Sequence, residues 1–267
     1  MGTLEDHDIA LVRAENPGPF TLTGTNTWVV GREPCWIVDP GPEQASHQEA
    51  VAAVARERGG VGGIALTHDH ADHVGGHAAL MDRLRGDGEV PLVGAARFPA
   101  DVALADGAAF GPLTAVASPG HAPDHLAFVT DDGVLFSGDA VLGTGSVFVA
   151  PSPGALTGYL AALRGLRARD LVLICPGHGP LVDDPHAKLD EYLEHRLERE
   201  RKLVAALAAG GRTIEGLLDA AWGDAPAELR PAAAITMAAH LDKLEEEGRL
   251  PGGVERPEVP TWLHGAI

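Results

Sequence analysis

The chain has 267 residues, enough for one large domain or for one domain with an appendage. Its hydrophobic residues, at 45%, can build a sizeable core, which must consist mostly of alanine, valine and leucine because aromatic residues make up only 4%. The net charge of −18 argues against tight non-specific binding of a nucleic-acid backbone, which needs a basic footprint.

No apolar run is long enough to span a bilayer, and no signal peptide is visible in the acidic segment Met1–Ala10. The two cysteines, Cys35 and Cys175, provide no disulfide framework. We therefore expect a cytoplasmic protein.

Strands and helices alternate along the first two thirds of the chain. In chain order, we predict strands at Thr25–Val30 and Cys35–Val38, a helix at Gln48–Arg58, a strand at Val61–Leu66, a helix at Gly76–Arg85, strands at Val90–Gly94, Leu113–Ala117, Leu126–Val129 and Val134–Phe136, a helix at Ala155–Arg167 with Ser152 as its cap, and a strand at Leu171–Cys175. Mixed strands with helices outside them favour a layered α/β fold.

The most informative stretch is Thr67–His73, which follows one of these strands. It carries His68, His70, Asp72 and His73, and imidazole and carboxylate groups are ligands of divalent metal ions. Because side chains alternate along a strand, His68 and His70 should point the same way, with Asp69 between them pointing away. The alternative is a histidine-rich surface loop.

Three later strand ends argue against that alternative. His121, Asp139 and His178 each follow a short apolar strand, and each is preceded directly by glycine. Glycine permits unusual backbone angles and close approach to a ligand group. The pattern predicts that these residues converge with the first four on one metal centre.

This set of seven residues resembles the metallo-β-lactamase-fold hydrolases, from about Thr25 to Leu181. The resemblance implies an αββα sandwich and two divalent ions. Zn²⁺ is the expected metal, although iron or manganese would bind to much the same ligands. The resemblance assigns His68, His70 and His121 to the first ion. It assigns Asp72, His73 and His178 to the second ion, and Asp139 as the ligand that bridges the two.

The chemistry of such a centre is hydrolysis, because two ions lower the pKa of a shared water. Asp72 then has two roles, metal ligand, which we favour, and proton acceptor. His125 is expected to orient a ligand or to touch substrate. Asp39 is either a partner of a ligating histidine or a turn residue, and Asn26–Thr27 and Gly143–Pro153 either face substrate or are structural.

The last third of the chain has a different composition, so we predict two domains, residues 1–181 and 182–267. Helices are predicted at Ala187–Ala209, Ile214–Ala221 and Ala232–Glu247, followed by a Pro/Gly-rich, wing-like segment at Arg249–Val259. This helical region resembles the winged-helix-like domain of one branch of the family, which includes an endoribonuclease. Its acidity favours a domain that narrows the active site over one that binds nucleic acid.

Three functions follow from these observations. The leading hypothesis is a dinuclear metal hydrolase of an ester, thioester or lactone, with a small molecule as its partner. The alternative is a single-strand-specific endoribonuclease acting on single-stranded RNA, which clustering of Lys188, Arg196, Arg199 and Arg201 would favour. The third is a non-enzymatic binding or regulatory protein. A homodimer is compatible with the sequence, and no membrane partner is expected.

Overall fold

The computed structural model of the protein describes residues 3–85 and 92–258. Two sheets are built from these residues. The first has the strand order β1 (Ile9–Arg13), β2 (Asn26–Val30), β3 (Cys35–Val38), β4 (Val61–Ala65), β5 (Leu92–Ala95), β6 (Val102–Ala103). The second has the order β11 (Leu173–Pro176), β10 (Val134–Gly138), β9 (Leu126–Thr130), β8 (Leu113–Ala117), β7 (Ala109–Phe110).

The helices are α1 (Ala45–Glu57), α2 (Ala71–Val74), α3 (His77–Leu84), α4 (Ala155–Arg167), α5 (Pro185–Ala208), α6 (Ile214–Trp222) and α7 (Arg230–Glu246). The chain divides into two compact units. One consists of the described residues of 1–118, 124–145 and 169–186, and the other of those of 119–123, 146–168 and 187–267. Residues 119–123 and 146–168 thus group with the C-terminal helices, whereas the predicted division at Leu181 and Val182 followed sequence order alone.

The first unit owes its layers to the alternation of side chains along its strands. Trp28 and Val38 face the second sheet, where they pack with residues such as Phe128 and Phe136. Their neighbours Val29 and Ile37 point the opposite way and share a second core with α1 and α3. The first sheet is therefore buried on both faces, which explains why its strands read as continuous apolar runs.

The second unit is held together by the apolar faces of its helices. Leu203 of α5, Leu217 of α6 and Met237 and Leu241 of α7 form its main core. The segment after α7 folds back onto the start of α6, where the Ile214 amide donates to Glu255 at 3.0 Å.

The α/β fold class is confirmed. β8 and α4 begin and end where predicted, and β2 and β3 form the predicted antiparallel pair. The predicted helix Gly76–Arg85 begins one residue later, because Gly76 serves as the N-cap of α3.

Three expectations need correction or reach beyond the described residues, and one strand was not predicted. Ser152 is not the cap of α4: Gly154 takes that position, and the Ser152 carbonyl accepts from the Ala155 amide. β1 was not predicted. Residues 90 and 91 of the predicted strand Val90–Gly94 lie outside the described residues. Residue 259 of the predicted wing Arg249–Val259 does so too, and the described part of the wing contains no strand. Among the described residues, no helix has both the length and the apolar character needed to cross a bilayer.

Candidate metal centre

The loop after β4 carries the densest group of histidines. The strand ends at Ala65, so His68 and His70 lie in a loop and strand alternation does not set their directions. The loop nevertheless brings His68 Nε2 within 3.0 Å of His70 Nδ1. Asp69, predicted to point away, is exposed. Helix α2 begins directly after His70 and places Asp72 and His73 on its first turn.

Asp72, His73 and His178 form a second group, in which the candidate ligand atoms lie within 4.8 Å of one another. The two Nε2 atoms of His73 and His178 are 3.2 Å apart. Asp72 Oδ2 is 3.2 Å from His178 Nε2 and 3.7 Å from His73 Nε2. The C-terminal end of β11 brings His178 to this position, more than a hundred residues along the chain from α2.

Asp139 lies between these groups. Its Oδ1 is 3.4 Å from Nε2 of His73 and 3.4 Å from Nε2 of His178. It also belongs to a cluster with His68 and His73 whose ligand atoms lie within 4.8 Å of one another. A carboxylate reached by histidines of both groups has the position that a bridging ligand requires.

The spacing of these atoms is a test of whether a metal ion fits. Tetrahedral zinc with bonds of about 2.0–2.1 Å holds neighbouring ligand atoms about 3.3 Å apart. The distances of 3.2–3.7 Å among Asp72, His73, Asp139 and His178 match that value. Several acceptor atoms so close together need protons or a cation between them, so the donor set fits a divalent ion.

Asp39 links the group of His68 and His70 to the group of Asp72, His73 and His178 through hydrogen bonds to Thr67 and His73. Its Oδ1 accepts from the Thr67 amide at 2.8 Å, and its Oδ2 accepts from the Thr67 hydroxyl at 2.7 Å. The same Oδ2 lies 2.8 Å from His73 Nδ1. Because the Thr67 hydroxyl donates to Asp39, it accepts from His68 Nδ1 at 2.9 Å. This network places the protons of His68 and His73 on Nδ1 and leaves Nε2 of both rings for a metal ion.

His121 lies in the second unit. Its Nδ1 is 3.2 Å from the Phe148 carbonyl, an arrangement that again leaves Nε2 for a metal ion. Arg196 of α5 is buried within the same unit, where its guanidinium donates to the Ser146 hydroxyl at 3.0 Å and to the Val147 carbonyl, next to Phe148. The role of His121 as third ligand of the first ion stays a prediction.

Two family models match this sequence. The model of the metallo-beta-lactamase superfamily matches residues 20–91 and 84–178, and the model of the beta-lactamase associated winged helix domain matches residues 213–250. The chain is a member of the metallo-beta-lactamase superfamily. The predicted C-terminal winged-helix domain is thereby confirmed as well.

Relatives of this superfamily member resemble it over most of its length. The beta-lactamase-like protein 2 homolog of Caenorhabditis elegans is 33% identical, over 97% of this chain and 90% of that protein. An atrochrysone carboxyl ACP thioesterase of Aspergillus fumigatus is 29% identical over 83% of this chain and 75% of its own. A solved structure in a di-iron-bound form is 28% identical, with a TM-score of 0.53, and covers 70% of this chain and 97% of its own.

The charges within the metallo-beta-lactamase unit hold one another in their ionised forms. Burial alone would lower the pKa of His178, but the negative charge of Asp139 raises it to about 9. Burial also lowers the pKa of His73, but the negative charges of Asp72, Asp139 and Asp39 outweigh burial and raise this pKa well above the usual value. Although burial would raise the pKa of Asp72, the His73 charge lowers it to about 2. Without metal, the histidine protons offset the charge of the carboxylates, and a bound cation would take over that role.

This arrangement predicts the pH dependence of the metal-free protein. The pKa of His178 is about 9 in the folded chain and near 6.5 when unfolded, so its contribution to stability is complete below pH 6.5 and is lost as the pH rises through about 9. The midpoint of thermal unfolding of EDTA-treated protein should therefore fall between pH 6.5 and 9.5. The fall should be smaller in His178→Gln, and an equal fall in both proteins would contradict the assignment.

Asn26–Thr27 and Gly143–Pro153 are the two segments that were predicted either to face substrate or to be structural. Asn26 and Thr27 are buried, which favours the structural alternative. The side-chain amide group of Asn26 donates through Nδ2 to the carbonyls of Pro176 and Gly179, at 2.9 and 3.0 Å, and so fixes the turn that carries His178. The segment Gly143–Pro153 is shared between the units, and in the first unit the Gly143 amide donates to the His178 carbonyl at 3.0 Å.

His125 is held at both ring nitrogens. Nε2 accepts from the Asp139 amide at 3.0 Å, so Nδ1 carries the proton and donates to the Ser118 hydroxyl at 2.8 Å. The ring also stacks on His68, with 4.9 Å between centroids. Of the two roles predicted for His125, these contacts favour orienting Asp139 over touching substrate.

Gly177, which precedes His178, has to be a glycine because other groups of the centre approach its backbone closely. A Cβ atom on Gly177 would come within 2.7 Å of both Asp139 Oδ1 and His73 Cε1. Sequence reasoning missed Thr67 and Ser118, whose hydroxyl groups contact His68 and His125. The available signal was the position of each hydroxyl residue at the end of a strand that leads into the centre.

Proposed function

We propose that this protein is a dinuclear metal-dependent hydrolase that cleaves esters, thioesters or lactones. The observation that carries the proposal is the buried set of His73, Asp139 and His178 with Asp72, whose mutual distances suit a divalent ion. A purely structural cluster has no need of so many acceptor atoms facing one another, since each buried polar atom is costly unless paired.

Two bound cations would supply Lewis acidity and lower the pKa of a water molecule, which makes a nucleophile available near neutral pH. The chain would supply the ligands. His68, His70 and His121 would hold the first ion and Asp72, His73 and His178 the second, with Asp139 contacting both. The place of His121 in this set rests on the pattern that the sequence shares with the superfamily.

The residues around the ligands hold protons at defined atoms. Asp39 keeps a proton on His73 Nδ1, and Thr67 accepts the Nδ1 proton of His68, so both rings offer Nε2. His125 fixes the backbone of Asp139. A carboxylate such as Asp72, with a pKa near 2, is a weak base, and this supports the role of ligand over that of proton acceptor.

Acyl substrates are favoured over RNA because the basic side chains of α5 are already engaged. Arg199 forms two hydrogen bonds to Asp224, and Arg201 contacts Glu194 and Glu198. Lys188 pairs with Glu191 at 3.1 Å. A phosphate backbone would have to displace these carboxylates. The thioesterase among the relatives supports the same choice.

A substrate panel tests the proposal. We expect the protein, reconstituted separately with Zn²⁺, Fe²⁺ and Mn²⁺, to hydrolyse at least one of a set of thioesters, aryl esters and lactones, and to leave short single-stranded RNA intact. EDTA should remove the activity and metal should restore it. His70→Ala, prepared in the same way, serves as the control for contaminating enzymes. RNA cleavage that disappears in His70→Ala would instead establish the endoribonuclease alternative.

Metal analysis accompanies the panel. The donor set of imidazole and carboxylate suits zinc, iron and manganese alike, and one solved relative was determined in a di-iron-bound form. We propose Zn²⁺ as the first choice. Elemental analysis of protein purified without added metal should find up to two ions per chain, and the metal that gives the highest turnover identifies the working cofactor.

A further inference from the structure

The second unit contains a cavity of about 280 Å³ beside His121. Its walls are the 119–123 loop, the segment that leads into α4 and the first turn of that helix. Residues from each wall include Pro119, His121, Pro123, Ala150, Ala155 and Gly158. Pockets for whole drug-sized ligands begin at about 300 Å³, so this cavity suits one group of a substrate.

The lining is chemically uniform. It consists of proline, glycine and alanine with one serine and one histidine, and none of the described lining residues is an aspartate, glutamate, lysine or arginine. A phosphate or carboxylate placed here would lose its hydration without gaining a countercharge, which is costly. The cavity therefore suits an uncharged group.

The N-terminus of α4 could still attract an anion, but its first amides are occupied. The Gly154 amide donates to Glu246 Oε1 at 2.9 Å, and the Ala155 amide donates to the Ser152 carbonyl at 3.0 Å. The carboxylate of Glu246 already takes the favourable position at this helix end and repels a second anion. A substrate phosphate at this helix end would have to displace Glu246.

We infer that this cavity binds the uncharged acyl group of the substrate. The inference rests on the proposed hydrolase function. His121 forms part of the wall and is the predicted third ligand of the first ion, so an acyl chain in the cavity would have its carbonyl end beside a metal ligand. An acyl chain of a few carbons fits the volume, and burial of its methylenes would provide binding energy.

The chain offers a substitution that fills the cavity without disturbing the fold. Gly158 lies within α4, and a Cβ atom there would meet only Pro119 Cγ, at the ordinary contact distance of 3.5 Å. Leucine is a better helix former than glycine, so Gly158→Leu should fold. The matched control is Gly165→Leu, on the same helix, where an added Cβ atom meets nothing within 4 Å.

The first measurement uses thioesters of one thiol with acetyl, butanoyl and hexanoyl groups. In the wild-type protein and in Gly165→Leu, kcat/KM should rise by about fourfold for each buried methylene until the cavity is filled. In Gly158→Leu the rise with chain length should disappear, so that the loss relative to Gly165→Leu is largest for the hexanoyl thioester. An unchanged rise, or an equal loss for all three substrates in folded Gly158→Leu, overturns the inference.

The second measurement is independent of turnover. Hexanamide, which has the acyl chain but resists hydrolysis, is titrated into each protein and followed by NMR. Wild type and Gly165→Leu should bind it, and binding to Gly158→Leu should be at least tenfold weaker. If this pattern appears while no thioester is cleaved, the hydrolase proposal fails and the cavity assignment stands. If wild type does not bind hexanamide and chain length has no effect on kcat/KM, the cavity assignment fails.

Discussion

Asp139→Asn is expected to reduce hydrolysis by more than about a hundredfold, a larger loss than the 10–100-fold typical of residues that only support metal ligands. Asp139 Oδ1 lies 3.4 Å from Nε2 of both His73 and His178, so an uncharged amide would remove the negative charge that these groups share. Asparagine has almost the same shape, and the hydrogen bond from the residue 139 amide to His125 involves only the backbone.

Activity and bound metal should be measured together. Asp139→Asn should retain at most one ion per chain, whereas wild type should hold up to two. The control is Asp69→Asn, which makes the same chemical change on an exposed side chain between His68 and His70. Asp69→Asn should keep both metal and turnover. Full activity in Asp139→Asn would refute the proposed bridging position.

Asp39→Asn should weaken metal binding by about 10–100-fold, although residue 39 is expected to touch no ion. Asparagine Oδ1 can still accept from the Thr67 amide, so the backbone contact survives. The amide nitrogen that replaces Oδ2 can no longer accept hydrogen bonds from the Thr67 hydroxyl and His73 Nδ1. His73 Nδ1 then becomes an acceptor, its proton moves to Nε2, and the ring loses its free ligand atom.

Competition between the protein and a chromophoric chelator measures this effect. Asp39 has a positive φ of 54°, a conformation that asparagine tolerates well, so backbone strain is not introduced. Asp8 is a matched control, since its φ is 53° and its exposed carboxylate contacts only Arg32 among the described ion pairs. Asp8→Asn should bind metal as wild type does. Equal affinity in Asp39→Asn would show that Asp39 does not set the His73 proton.

The sequence was sufficient for the strands and helices that have strong periodicity or clear ends. β8 and α4 were predicted to the residue, because an apolar run between turn residues and an amphipathic stretch leave little choice locally. β1 was missed, since an edge strand gains its stability from pairing with β2, a partner that lies beyond any local pattern. The directions of His68 and His70 were predicted from strand alternation, but β4 ends at Ala65 and both residues lie in the loop that follows it.

What the sequence determined by itself was the chemical identity of the centre. Imidazole and carboxylate groups after glycines and strand ends indicate metal ligands, whatever the details of the fold. Only the tertiary structure decided which proton each ligand carries and which polar residues support it. Asp39, Thr67 and His125 act through contacts with groups 14 to 34 residues away in the chain. Such contacts depend on the packing of β3, β4 and β10 and leave no periodic signal in the sequence.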